Sequence, residues 1–286
     1  MEVSKRIFNL ETETAFAILA KANKLKSEGK DIINLGIGQP DFSTPANILE
    51  KIIAYEAVHE INSWDDLRAR LAPEDRKCFA FFHPLMPNEP LIFVEVALSR
   101  GMPETINEII KIDRSVTLDQ EINTAVFYSI SNCQAGLSGI SFGNFLIKRV
   151  AHKLKQENAG LDNFATLSPV PDFTKWMNKK SIPHQGMDED ALLKQALIYL
   201  LKSDREDGFP NDPVAKFHLG NGAVLGRINL NADLSEKGKN QSKGLMINYI
   251  YNLETLEENH ESFFKSKHIM QSDLIKTLVK KLQIHN

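Results

Sequence analysis

The chain has 286 residues, 42% hydrophobic and 25% charged, with a net charge of −3. That near balance excludes a nucleic-acid binder driven by overall charge and fits one large globular domain or two small ones. Two cysteines, Cys78 and Cys133, are too few for a disulfide framework, no apolar run nears the ~20 residues of a membrane span, and "MEVSKRIFNLETETAF" lacks the pattern of a signal peptide.

These features predict a cytoplasmic protein with no membrane and no nucleic-acid partner. In chain order, Phe16, Leu19, Ala22 and Leu25 recur at helical spacing over residues 12–28, with Gly29 as a C-cap. "DIINLGIG" predicts a short strand and "QPDFSTP" a turn. Thr44 as N-cap and Pro45 at the first helical position predict a helix to about Ala57. Apolar runs at 91–98 and 125–130 predict buried strands.

The glycine-bearing loop "SNCQAGLSGISFG" leads to an amphipathic helix over about 144–156. Phe142, Phe145, Leu146, Val150 and Leu154 share its apolar face, opposite Lys148, Arg149, Lys153 and Lys155. Residues 164–170 predict a strand ended by prolines, and "MDEDALLKQALIYLLKS" a helix opened by acidic residues. "AKFHLGNGAVLGRINL" reads as strand–turn–strand, "GLMINYIY" as a strand, and 272–283 as a last helix in a polar C-terminal region. Interleaved strands and helices make the class α/β or α+β.

Strand, glycine loop, helix and strand over 125–170 form the most informative arrangement. Gly136, Gly139 and Gly143 let the backbone approach a ligand. The unsatisfied N–H groups of the next helix's first turn suit an anionic phosphate, with Lys148 and Arg149 adding attraction. The loop is neither a P-loop nor a dinucleotide fingerprint, so a plain tight turn competes with that reading. Eight histidines with no H-x-x-x-H or C-x-x-C pair predict no metal site. By local context His218 reads as a packed turn residue and Ser168, before Pro169, as a turn former. Tyr249 and Tyr251 share one strand face.

The text from about Tyr55 to Leu278 resembles the malonyl-CoA decarboxylase family, in its C-terminal catalytic domain. The stretches that carry the resemblance include "YEAVHEINSWDDLRARLAPEDRKCFAFFHP", "FYSISNCQAGLSGISFGNFLIKRV", "TLSPVPDFTKW", "DPVAKFHLGNGAVLGRIN", "GLMINYIYNLE" and "ENHESF". The resemblance implies a GNAT acyltransferase-like fold, a mixed sheet flanked by helices. It implies that Ser138, Gly139, Ile140, Ser141, Phe142, Gly143 and Asn144 cradle coenzyme A, that Ser168 and His218 are catalytic, and that Tyr251 supports them. Malonyl-CoA would become acetyl-CoA and CO2, with no cofactor beyond the CoA of the substrate. An unperturbed His218, near ~6.5, would be the proton donor. Some members have a glutamate where this chain has Ser141. A non-catalytic acyl-CoA-binding module or an inactive fusion fragment are the alternatives.

Residues 1–53 resemble the start of class I pyridoxal-phosphate aminotransferases, which share "NLGIGQPDF" after an amphipathic helix. Nothing after Ile53 resembles the lysine and cofactor domain those enzymes need, so pyridoxal chemistry is not expected. The division expected is an incomplete helix–strand–helix piece, 1–53, joined to a catalytic domain, 54–286. The decarboxylase family's helical domain, associated with subunit contacts, would be missing, which bears on any homo-oligomer. The connection over 177–190 is also shorter than the family's.

Overall fold

A computed structural model describes residues 46–117, 119–137, 142–183 and 186–284, with backbone alone at 119 and 142–145. The elements expected before Ala46 lie outside the described residues, and the fold belongs to the compact unit Ala46–Asn286. Helix α1, Ala46–Tyr55, buries Ile48 and Ile52, and the join expected near Ile53 falls within it. Helix α2, Trp64–Leu71, begins where Ser63 accepts the Asp66 N–H.

Strands β1 (Arg76–His83), β2 (Met86–Ser99) and β3 (Thr124–Asn132) form an antiparallel meander. The short helix α3, Asn107–Ile110, lies between β2 and β3. From β3 the chain crosses through helix α4, Phe142–Glu157, to β4 (Asn163–Thr166), which runs parallel to β3. Strand β5 (Ser168–Pro169) follows at once, then helices α5 (Phe173–Lys179), α6 (Glu189–Leu201) and α7 (Pro213–Gly220). Strand β6 (Val224–Asn229), helix α8 (Glu236–Ser242), strand β7 (Met246–Ile250) and helices α9 (Leu256–Ser266) and α10 (Asp273–Lys281) complete the described chain. Strand β7 pairs antiparallel with β4, β5 and β6, giving a mixed sheet of seven strands.

Alternation along the strands decides what covers each face. Ile92, Val94, Val96 and Leu98 of β2, with Ala125 and Phe127 of β3, pack against Leu146, Ile147, Val150 and Leu154 of α4. Each Val, Leu, Ile or Phe side chain among these contributes about 1.5–3 kcal/mol when fully buried. On the opposite face Phe93 meets Ile52, Ile61 and Leu67, while Ala97 and Val126 meet Ile106 and Ile109.

Several elements differ from expectation. Residues 215–220, read as a strand, form most of helix α7, because Asp212 caps it and Pro213 occupies its first position. The strand expected over 164–170 is two short pieces divided at Leu167. Strand β1 and helix α9 were not expected at all.

Candidate active site

The division at Leu167 leaves Ser168 at an opening in the sheet. Ala165 pairs with Ile250 and Ser168 with Ile247 in one register. Between these pairs side chains take over from the main chain. The Tyr249 N–H donates to Thr166 Oγ1 at 3.2 Å, and the Asn248 amide donates to the Thr166 carbonyl at 2.8 Å. The Leu167 N–H still reaches the Phe127 carbonyl, so the strand stays tied to β3.

Helix α7 brings His218 to this opening. The Asp212 carboxylate accepts the Ala215 N–H at 2.9 Å and so sets where the helix starts. Beyond the helix, Gly222 has φ +86°, and a Cβ there would overlap the Leu256 carbonyl and lie 3.3 Å from the His260 nitrogen. Only glycine fits that turn. Helix α9 holds it, since Asn259 donates to the Gly222 carbonyl at 3.1 Å and His260 Nδ1 to the Gly220 carbonyl at 2.6 Å.

Four side chains meet here in a row. Ser168 Oγ donates to Thr166 Oγ1 at 2.9 Å and lies 3.0 Å from His218 Nε2. His218 Nδ1 lies 2.8 Å from the Tyr251 hydroxyl. All four are buried, Ser168 being the least so at 5% exposed. The Tyr249 ring stacks on the imidazole with centroids 4.6 Å apart, and Phe217 meets it edge-on at 5.0 Å. Burial drives the His218 pKa down to about 3, so the ring is neutral at pH 7 rather than titrating near its ordinary value. The same burial pushes the Tyr251 hydroxyl up and keeps it protonated. Such a row suits passing a proton along rather than storing a charge.

Of the residues expected to cradle coenzyme A, Ser138, Gly139, Ile140 and Ser141 lie outside the described residues. Phe142, Gly143 and Asn144 form the first turn of α4. Lys148, expected to attract phosphate, pairs with Glu257 of α9 at 2.6 Å. Helix α9 therefore joins α4 to the turn behind His218. A separate cavity of about 810 Å³, lined by Glu74, Lys77, Leu98 and Glu157 among others, involves none of Ser168, His218 or Tyr251.

A family model described as "Malonyl-CoA decarboxylase C-terminal domain" matches residues 35–192 and 184–286. The chain belongs to that family. The mitochondrial malonyl-CoA decarboxylase of Mus musculus is 36% identical over 297 residues, covering 87% of this chain and 60% of that protein. The chain spans about three fifths of the length of its curated relatives. The crystal structure of malonyl-CoA decarboxylase from Agrobacterium vitis is 47% identical, with a TM-score of 0.78 over 84% of this chain and 65% of the other. That from Rhodopseudomonas palustris is 46% identical, with a TM-score of 0.75 over 83% and 64%. At 17% identity, a GNAT-like decarboxylase, GphF, shares the fold with a TM-score of 0.53 over 73% of this chain and 97% of its own. An aspartate aminotransferase from Bacillus subtilis matches over 53 residues, 18% of this chain and 14% of that enzyme.

Within this family member, sequence reading passed over Thr166 and treated Tyr249 as packing. Both touch the Ser168–His218 pair because the ladder opens there, and no motif announces such an opening. The Asn259 and His260 contacts were missed with α9 itself. The helix that carries His218 did have a signal, the cap and proline of "NDPVAKF".

Proposed function

We propose that the chain decarboxylates malonyl-CoA to acetyl-CoA and CO2, as a carboxy-lyase of fatty acid metabolism. The observation that carries this reading is the buried row from Ser168 through His218 to Tyr251, in a chain of the decarboxylase family. Breaking the C–C bond sends its electron pair into the thioester, and the bond must lie along the carbonyl π system. Ser168 positions the departing carboxylate and passes on the proton, His218 supplies it, and Tyr251 supports His218. The thioester is the electron sink, so the reaction calls for no metal or organic cofactor.

Phe142, Gly143 and Asn144, with the loop residues Ser138, Gly139, Ile140 and Ser141 before them, would take the CoA pyrophosphate. First-turn N–H groups are unsatisfied within a helix, and each anionic charge placed there gains about 0.3–1 kcal/mol. Cys78 and Cys133 are free thiols, which suits the cytoplasmic location that forms part of this proposal.

Incubating the chain with malonyl-CoA tests the proposal. CO2 and acetyl-CoA should appear in equal amounts, and Ser168→Ala should slow both. Binding of CoA with no CO2 release would overturn the reading and favour an acyl-CoA-binding module.

A further inference from the structure

We propose that Thr166 is a positioning residue that holds His218 as its Nε2–H tautomer, and that this poises the row to deliver a proton to Ser168. The proposal rests on the decarboxylase reading for its chemistry, but its geometric part stands on hydrogen-bond accounting. A serine hydroxyl has a single hydrogen. Ser168 spends it on Thr166 Oγ1, 2.9 Å away. His218 Nε2, 3.0 Å from the same oxygen, must then be the donor of that contact. A neutral imidazole carries one N–H, so Nδ1 is bare and accepts the Tyr251 hydroxyl at 2.8 Å.

Thr166 can impose this because its own oxygen is fixed. The Tyr249 main-chain N–H donates to Thr166 Oγ1, which anchors that oxygen to β7 at the lapse in the ladder. Tyr249 also stacks on the imidazole, so one residue of β7 fixes both the ring plane and the oxygen that selects the tautomer. The ring is buried at 3% exposure, where an unpaired charge is costly.

The relay balances without charging the ring. CO2 leaves malonyl-CoA and its bonding pair becomes the thioester enolate. The α-carbon takes the Ser168 hydrogen, Ser168 is refilled from His218 Nε2–H, and Nδ1 takes the Tyr251 hydrogen in the same event. Tyr251 is then refilled from solvent, and the ring, left protonated at Nδ1, is reset before the next turnover. Nδ1 returns its hydrogen to the Tyr251 oxygen as Tyr251 loses one to solvent, and Nε2 takes the Ser168 hydrogen as Ser168 regains one from water in the emptied site. The sum is malonyl-CoA plus one proton giving acetyl-CoA and CO2. In the other tautomer Nε2 is bare and has no proton to deliver.

Nitrogen NMR of the whole chain with ¹⁵N-labelled histidine reads the tautomer without substrate, with His218→Asn assigning the signal. The wild type should show His218 protonated at Nε2 and bare at Nδ1. In Thr166→Val, Ser168 turns its hydrogen to Nε2 and the two nitrogens exchange roles. With malonyl-CoA, Thr166→Val should lower kcat by about 10²-fold with little change in KM, as for a misplaced catalytic proton. Thr166→Ser keeps the oxygen and should restore both the tautomer and kcat. A wild-type ring protonated at Nδ1, or a Thr166→Val ring unchanged from wild type, would overturn the proposal. A wild type with the expected tautomer that releases no CO2 would instead overturn the decarboxylase reading and support the geometric part.

Discussion

Replacing Gly222 with alanine should loosen the turn that ends α7 and holds His218 in place. The glycine has φ +86°, and a Cβ there would overlap the Leu256 carbonyl oxygen and lie 2.9 Å from its carbon. A left-handed conformation costs an alanine about 1–2 kcal/mol. The overlap involves backbone on α9, so relief requires the helix or the turn to move, and overpacking of this kind costs about 1–3 kcal/mol. Together these predict a loss of roughly 2–5 kcal/mol. Equilibrium urea denaturation measures it, and the melting temperature should fall by about 2–4 °C for each kcal/mol. Because Asn259 and His260 grip the same turn, the 3.0 Å Ser168–His218 contact should lengthen and CO2 release should fall further than unfolding alone explains. A variant as stable as the wild type would refute the claim that α9 fixes this turn.

The other predictions concern buried charge and capping. Burial, with repulsion from Glu56 added, raises Glu95 from 4.5 to about 8 despite Arg70 at 3.7 Å. The folded state thus keeps a proton that the unfolded chain releases, and stability falls as pH rises from about 4.5 to about 8. Glu95→Gln should flatten that slope in urea titrations across the window, and an unchanged slope would count against a protonated Glu95. Asp212→Ala removes the α7 cap and the acceptor of the Tyr199 hydroxyl. Loss of such a cap costs about 0.5–2 kcal/mol, so denaturation should reveal a drop of that order, whereas Asp212→Asn should lose less.

How much was legible in the sequence depended on whether the signal was local. Asp188 ahead of an acidic first turn marks α6, and the apolar runs of β2 and β3 mark central strands. The helix over residues 144–156 lies within α4, whose Leu146, Val150 and Leu154 are buried as their spacing demands. In "AKFHLG" alternation suggested a strand, yet the Asp212 cap and Pro213 prevailed and made a helix. Edge strand β1 went unread because it has no clean buried-and-exposed alternation, only Arg76 being buried, with Phe81 and Phe82 falling at irregularities in its pairing.

The site was legible mainly through resemblance. Ser168 and His218 lie 50 residues apart, and neither neighbourhood hints that they meet. Their contact arises from tertiary structure, a lapse between β4 and β5 that turns Ser168 toward the end of α7. The neutral state of His218 was likewise invisible, since it comes from burial among Tyr249, Phe217 and Tyr251. Thr166 entered only once the Tyr249 N–H was traced to it.

The central claim is that His218 delivers the proton that completes decarboxylation. Steady-state CO2 release from malonyl-CoA by the wild type and by His218→Asn, with CoA affinity measured on both, tests it most directly. The account predicts steady release by the wild type and a kcat about 10²–10⁴-fold lower in the variant, with CoA binding preserved. A His218→Asn protein that binds CoA and turns over malonyl-CoA at the wild-type rate would contradict it.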